Sequence, residues 1–413
     1  MKVIRTEQIF IHDNGVISSM CHISKNLFNQ ANYILRNQFF RKEKMAGYKE
    51  LAKKFAEPSD IEENNNFQKL PAQTAQWTIK KVKQSWTSFF GSLRSYKKNP
   101  ELFNGVPKPP KYKHRNGEFM LVFTNQQCSI ADGILKFPKI MNLEVRTRLD
   151  NVNLREVRII PNGVGYNVEI VYSREISDIS ELSPKRILGI DIGVRNIITI
   201  GNNISEKGIA VKGGVLKSIN QYFNKELARL KSVNDKQGKN KENTKRINKL
   251  YMVRNRKIRD VMHKLSNAVI LYARTNEIDT IVIGHNNGWK QSVDIGKKNN
   301  QNFVQIPSNM LINQIYYKGK EYGINVVKQE ESYTSKCSFL DNESIEEHET
   351  YLGKRIKRGI FKSSNGTLLH ADLQASYNII KKAIPEAFDG IEGIGLYPGS
   401  LSIKEMITSK GGC

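Results

Sequence analysis

Residues 186–200, RILGIDIGVRNIITI, restrict the fold more than any other stretch of the chain. The apolar run Ile187 to Ile190 ends on one carboxylate, Asp191. Gly193 and Asn196 turn the chain, and a second apolar run, Ile197 to Ile200, follows at once. A hydrophobic strand that ends on an acid and returns through a tight turn reads as the start of a β-hairpin in a buried sheet. Asp191 is then either an ordinary turn acid or a metal-binding carboxylate, and the local pattern fits both. The elements that follow bear on the choice.

Residues 208–211 read as a third short strand, and 216–275 as a long helical section or helical hairpin. Its second arm carries Ile247, Tyr251, Ile258, Val261, Leu265, Val269 and Tyr272 on one face. TIVI at 280–283 is a fully apolar strand. Residues 307–322 are helical, with Pro307 at the first turn, and 324–329 form another strand that runs into Glu330-Glu331. Residues 337–370 have mixed charge and poor periodicity. Asp372 then opens a helix over 373–383, with Ala375, Ile379, Ile380 and Ala383 inward.

This order is that of the ribonuclease H type of fold, in which three antiparallel strands are extended by two more through helical crossovers. There the first strand lies centrally beside the fourth, so Asp191 is expected to face Asp372 at the start of the last helix. Two converging carboxylates have a clear use, because Mg²⁺ takes oxygen ligands in near-octahedral geometry. Two such ions about 4 Å apart hold the attacking water and the leaving oxygen of a phosphodiester in line. The usual third acid follows the fourth strand. Here TIVI is followed by Gly284-His285-Asn286-Asn287, with no acid.

The N-terminal half reads differently. Residues 1–20 are expected to form a β-hairpin, with 3–11 as a strand and Asp13-Asn14-Gly15 as the turn. Residues 24–56 are helical, with Leu27, Ala31, Ile34 and Leu35 at helical spacing, and 57–67 are a polar break. A second helix opens at Leu70-Pro71 and carries the stripe Ala75, Ile79, Val82, Trp86, Phe89 and Leu93, with Lys80, Lys81 and Lys83 off it. Residues 104–116 are Pro-rich and basic, hence a linker or an extended arm. Residues 118–175 are short strands separated by turns, a small antiparallel barrel or sandwich that the first hairpin completes.

The charge points to a polyanion. Across 413 residues, 65 Lys and Arg oppose 40 Asp and Glu, a formal net charge of +25. Residues 231–259 are dense in Lys and Arg, including Lys236, Lys239, Lys241, Lys245, Arg246, Arg254 and Arg256, which suits a phosphate-facing helix. No stretch approaches the ~20 apolar residues of a membrane span, and MKVIRTEQIF lacks the apolar core of a signal peptide, so a cytoplasmic location is expected. Cys21, Cys128, Cys337 and Cys413 lie far apart, which argues against a disulfide framework and an all-cysteine zinc site.

Three motifs carry a family likeness: Gly189-Ile190-Asp191-Ile192-Gly193-Val194-Arg195, then Tyr333-Thr334-Ser335-Lys336-Cys337-Ser338, then His370-Ala371-Asp372-Leu373-Gln374-Ala375-Ser376-Tyr377-Asn378-Ile379. With Pro107-Lys108-Pro109-Pro110-Lys111-Tyr112-Lys113 upstream, and over nearly its whole length, the chain resembles the TnpB (OrfB-type) family of bacterial insertion sequences, relatives of the type V CRISPR effectors. The resemblance implies a multidomain α+β and α/β architecture. A wedge β-barrel would occupy 1–23 and 105–180, a helical recognition lobe 24–104, and a ribonuclease H-like RuvC nuclease domain 186–336 and 371–413, interrupted by a nucleic-acid-binding insert at 337–370. It also implies RNA-guided cleavage of double-stranded DNA beside a short motif. The guide RNA would come from the transposon end, the protein would act as monomer or dimer with one RNA, and it would associate with the nucleoid when bound to DNA.

Two departures from the family pattern matter. Most relatives have a zinc ribbon in the insert, but only Cys337 remains here, so no zinc is expected. The second is the acid missing after TIVI. Glu331 stands at the end of the neighbouring strand, about 4.8 Å away across the sheet, and has one more methylene than Asp. Glu330 points to the opposite face if the strand continues. The expected ligands of two Mg²⁺ ions, with Mn²⁺ as a substitute, are therefore Asp191, a relocated Glu331 and Asp372. The expected nucleic-acid contacts are Lys80, Lys81, Lys108, Lys111, Tyr112, Lys113, Arg115, Lys245, Arg246, Arg254, Arg256 and Lys336. The alternative is a nuclease-inactive, RNA-guided DNA-binding repressor or transposition regulator. A DNA-joining transposase of the same fold is a third reading.

Overall fold

The computed structural model describes residues 2–57, 66–176, 184–193, 195–238, 244–286, 306–391 and 393–408. Val194, Lys239, Lys241, Asn287, most of the polar break at 57–67 and the end of the expected wedge at 177–180 lie outside the described residues. The chain divides into two units, 2–175 and 176 onward. Within both, helices and strands share cores, a mixed α+β multidomain fold. No helix among the described residues is long and apolar enough to cross a membrane.

The first unit opens with β1 (Lys2–Ile11), α1 (Val16–Phe40), α2 (Tyr48–Ala56) and α3 (Ala72–Lys98). Six strands follow: β2 (Leu121–Thr124), β3 (Ser129–Ala131), β4 (Ile134–Lys136), β5 (Glu144–Arg146), β6 (Asn153–Pro161) and β7 (Tyr166–Glu175). The apolar stripe of α3 is buried from Ala75 to Phe89 against α1, where Trp86 Nε1 donates to Asn32 Oδ1 at 2.9 Å.

The first twenty residues are not a hairpin. Asp13 and Asn14 begin a helix, with Asn14 Oδ1 accepting from the amides of Val16 (3.1 Å) and Ile17 (3.0 Å), and Asp13 Oδ1 from Ser18 (3.1 Å). Short Asx side chains serve hairpin turns and helix starts equally well. Ile17, Met20, Cys21 and Ser24, all buried, continue at helical spacing and decide for the helix. The first strand pairs instead with β7 in antiparallel register, from Lys2 opposite Glu175 to Ile11 opposite Tyr166. The strands stand as two open sheets, β1-β7-β6-β2 and β3-β4-β5. Among the described residues they do not close into the expected barrel.

The second unit contains β8 (Ile187–Asp191), β9 (Asn196–Asn202), β10 (Ile209–Lys212), α4 (Gly214–Lys236), α5 (Lys245–Thr275), β11 (Thr280–Gly284), α6 (Ser308–Glu321) and β12 (Asn325–Gln329). Then come β13 (Lys354–Lys357), β14 (Ile360–Lys362), β15 (Leu368–His370), α7 (Ala371–Ala383), β16 (Gly399–Ser402) and α8 (Ile403–Thr408). Six strands make one sheet in the order β12-β11-β8-β9-β10-β16, and β13, β14 and β15 make a separate small sheet. Strands β8, β9 and β10 are antiparallel neighbours, while β11 and β12 add in parallel beside β8. The edge strand β16, Gly-Ser-Leu-Ser, has no strand signature of its own and forms by parallel pairing with β10.

One face of this sheet packs on α5 and α6 around Leu265, Val269, Leu311 and Ile315. The other face carries α7 at very close range. A Cβ on Gly189 would collide with the Ser376 carbonyl and stand 2.6 Å from Ile380 Cγ1. A Cβ on Gly201 would strike Ser376 Oγ and stand 2.9 Å from the Tyr377 ring. The missing side chains let helix and sheet approach this closely. Gly189→Ala therefore forces a buried backbone carbonyl to move. It is expected to lower unfolding stability by about 1–3 kcal/mol in thermal or urea melts, as overpacking a filled core does.

Candidate functional site

Three parallel strands end together at one edge of the large sheet. Ile190 on β8 lies opposite Ile283 on β11, and Gly284 lies opposite Gln329 on β12. Asp191, Gly284 and the chain just beyond Gln329 are thus brought side by side. The carboxyl ends of parallel strands are where open α/β sheets form their crevices. Burial, and then the neighbouring charges of Glu331 and Asp372, push the Asp191 carboxyl well above its usual range, with Arg355 opposing them. Desolvation and like charge both disfavour the ionised form.

Glu331 is held by its backbone. Its amide donates to Asn286 Oδ1 at 2.9 Å, and its carbonyl accepts from Thr334 Oγ1 at 2.8 Å. The side chain folds over Gly284, where a Cβ would overlap the carboxylate. Glu331 Oε1 is buried and has no hydrogen-bond partner. Burial, with a smaller contribution from Glu330, raises its carboxyl pKa to about 7. Glu330 turns away and pairs with Lys382 Nζ at 2.6 Å.

Asp372 sits in the first turn of α7. Its Oδ2 accepts from Asn196 Nδ2 at 3.0 Å, and its Oδ1 lies 3.7 Å from Arg355 on β13. Two buried amides on α7 fix the turn after Glu331. Gln374 Nε2 donates to the Cys337 carbonyl at 2.8 Å, and Asn378 Nδ2 donates to the carbonyls of Thr334 and Cys337, each at 2.8 Å. The helix that carries Asp372 therefore also positions Glu331. Cys337 is buried and unbridged.

Among the described residues no three His, Cys, Asp or Glu side chains stand ready as a coordinating group. The donor chemistry nevertheless suits a hard divalent cation. The Asp191 carboxylate is repelled by Glu331 and Asp372, and one buried Glu331 oxygen lacks any partner. Asn196, Arg355, Gln374 and Asn378 are the site's supporting side chains that sequence reasoning missed. Gln374 and Asn378 left one signal, two amides four residues apart among the buried and largely apolar residues of a helix.

The basic residues lie in both units. In the first, Lys80 stands 4.6 Å from the centre of the Trp77 ring and Lys81 5.7 Å. The Pro-rich arm is anchored along α1. Lys25 Nζ donates to the Arg115 carbonyl at 2.6 Å, the Lys113 amide donates to Asn29 Oδ1 at 2.8 Å, and Arg36 donates to the Pro110 carbonyl at 2.7 Å. Lys108, Lys111 and Arg115 project to solvent. Lys113 covers the rings of Phe28 and Phe119, and Tyr112 stacks under Arg36. In the second unit Lys245 and Arg246 are exposed at the start of α5, and Arg256 is exposed further along it. Arg254 is spent on structure, donating to Asn220 Oδ1 at 2.9 Å and covering the Phe223 ring. Lys336 is exposed beside the rings of Tyr333 and Tyr351.

The raised Glu331 pKa has a sign that a melt can read. The folded chain holds a proton that the unfolded chain has released, so stability falls as pH rises from about 4.5 to about 7 and stays low above that. Without divalent metal, Glu331→Gln is expected to be more stable than wild type at pH 8, by on the order of 2 kcal/mol. The gap should close towards pH 4.5. Thermal melts in chelator across that range check it.

Residues 170–290 match the OrfB_IS605 family, described as a probable transposase, and residues 309–379 match the Cas12f1-like TNB domain. The TnpB-like protein ORF457 of Acidianus two-tailed virus is 24% identical over 425 residues, covering 92% of this chain and 87% of that protein. Among solved structures, the Cas12f1-sgRNA-target DNA complex shares the fold at a TM-score of 0.50 and 15% identity, covering 89% of this chain and 83% of that one. Motifs, domain matches and the viral relative agree in making the chain similar to TnpB-like proteins, and they support a TnpB-like family related to the type V CRISPR effectors.

Proposed function

We propose that the chain is an RNA-guided DNA endonuclease of a transposon, with a RuvC-type carboxylate site formed by Asp191, Glu331 and Asp372. One observation carries the reading. The Glu331 carboxylate occupies the space that Gly284 leaves at the end of β11, where the fourth strand lacks an acid. In this reading 186–336 and 371–413 make the nuclease, 337–370 its nucleic-acid-binding insert, 24–104 the recognition lobe, and 1–23 with 105–180 the wedge.

The three carboxylates would hold two Mg²⁺ ions, which when bound polarise the phosphodiester and supply a nucleophilic water at neutral pH. Asp191 offers oxygens at the end of the central strand. Glu331 brings the buried, unpartnered Oε1. Asn196 orients Asp372 through Oδ2, and Oδ1, which Arg355 approaches at 3.7 Å, is the oxygen that would meet a cation. Gln374 and Asn378 hold the Thr334–Cys337 turn, and with it the Glu331 backbone, against α7. The solved relative named above holds an sgRNA and target DNA. Here Lys108, Lys111, Arg115, Lys245 and Arg246 would meet phosphates, while base pairing to the guide selects sequence.

The rival is an RNA-guided DNA binder without cleavage. It is favoured by the absence of a ready three-ligand group among the described residues, and by Arg355 and Asn196 standing on Asp372. Cleavage of a guide-matched duplex by the protein–RNA complex with Mg²⁺ separates the two. Wild type is expected to cut, Asp191→Ala and Asp372→Ala to bind without cutting, and Glu330→Gln to cut normally. Asn196→Ala, which only orients a ligand, should lose about 10–100-fold in rate. Equal cutting by wild type and Glu331→Gln would remove glutamate from the site, and binding without cutting by wild type would favour the rival.

A further inference from the structure

Beside Asp372 a cleft of about 680 Å³ opens between β10, α4 and the β13–β14 hairpin. Arg195, Lys217, Arg355 and Arg358 line it, and among the described residues Asp372 is the one carboxylate on its wall. A fifth cation, Lys212, lies in the field of Glu405. Partial burial, followed by the charges of Arg358 and Arg195, keeps the Lys217 ammonium below its usual range. Cations gathered around one cleft repel each other, and a polyanion threaded between them removes that cost. A phosphodiester strand is the ligand class that fits both the charge of the cleft and the one acid at its end.

One of these cations already has an acidic partner. The guanidinium of Arg355 stands on Asp372 Oδ1 at 3.7 Å, while Asn196 holds Oδ2. The two side chains are 49% and 28% exposed, so the pair is screened, long and weakly held. With Oδ2 held by Asn196, Asp372 offers the guanidinium one long contact, whereas a phosphate in the cleft can accept two parallel hydrogen bonds from it and is the better partner there. We propose that Arg355 is an exchangeable lock on Asp372: a phosphodiester strand entering the cleft takes over the guanidinium and so frees the carboxylate for a divalent cation. This rests on the reading of Asp372 as a metal ligand. Because coupling between two ligands is reciprocal, strand and metal tighten each other's binding by one common factor. The weakness of the exposed pair limits that factor to about five-fold. The cation site is thereby kept poor until substrate is present, which suppresses idle loading of a nuclease.

The test is Mn²⁺ binding to the full-length chain, followed by electron paramagnetic resonance, with and without a short single-stranded DNA. Wild type should bind Mn²⁺ about five-fold tighter with the DNA present. Arg355→Gln should bind as tightly without DNA as wild type does with it, and gain nothing more when DNA is added. Arg358→Gln makes the same charge change in the same cleft. It should leave DNA-free Mn²⁺ binding near wild type but weaken the effect of DNA. If Arg358→Gln tightens Mn²⁺ binding as much as Arg355→Gln, general charge is responsible and the lock is wrong. The lock is also wrong if Arg355→Gln binds as wild type does while Asp372→Asn loses binding, an outcome that leaves the ligand reading intact. Asp372→Asn binding Mn²⁺ like wild type overturns the ligand reading and the lock together.

Discussion

The close seating of α7 on β8 and β9 is the constraint on which the rest of the second unit depends. Gly189 and Gly201 remove the two side chains that would hold the helix off the sheet. At that range Asp372, at the start of the helix, comes close enough to Asp191 for the two charges to disturb each other. The same seating buries Gln374 and Asn378, whose amide donors must then be satisfied. They find the carbonyls of Thr334 and Cys337, and so order the turn that carries Glu331. Helix packing, turn geometry and the approach of three acids are thus one arrangement.

That arrangement works against folding in electrostatic terms. Carboxylates that are partly desolvated and repel one another prefer to be protonated, and Asp191 and Glu331 both have raised pKa values. The stability that absorbs this cost comes from elsewhere, chiefly the apolar face that β8, β9 and β11 bury with α5 and α6. Functional sites are commonly strained in this way while the surrounding core holds them in place.

Sequence patterns expose some parts of this fold and conceal others. Asp191 is legible because a β-strand of Ile and Leu ends on it, and Asp372 because a helix begins there. The spacing of adjacent strands and the extra methylene of Glu brought Glu331 into view, and alternation set Glu330 on the opposite face, but the strand, β12, ends at Gln329. The bond that the Glu331 amide donates to Asn286 and the one that its carbonyl accepts from Thr334 fix the backbone from which the side chain projects, and a one-dimensional pattern does not contain them. Asp13-Asn14-Gly15 misleads because the same residues suit a hairpin and a helix start. The Pro-rich arm reads as a linker because its anchors on α1, Lys25, Asn29, Asn32 and Arg36, bond to backbone carbonyls that leave no trace in composition. The barrel expected from the short strands fails for a related reason. Strand patterns identify edges and faces, while the β1–β7 pairing joins opposite ends of the unit and leaves β3, β4 and β5 as a separate sheet.

Gly284 and Glu331 are best understood as one feature rather than two residues. A side chain of any size at 284 would occupy the volume where the Glu331 carboxylate lies, and a shorter acid at 331 would leave that volume empty. The position after the fourth strand is therefore filled across the sheet by the neighbouring chain, which gives the glycine there a packing reason. The longer side chain adds rotamer freedom that an acid on the strand itself would lack. The bonds to Asn286 and Thr334 answer that freedom by fixing the backbone from which the carboxylate projects. Glu331 lies two residues beyond the end of β12, so its support comes from outside that strand, and α7 supplies it while also presenting Asp372.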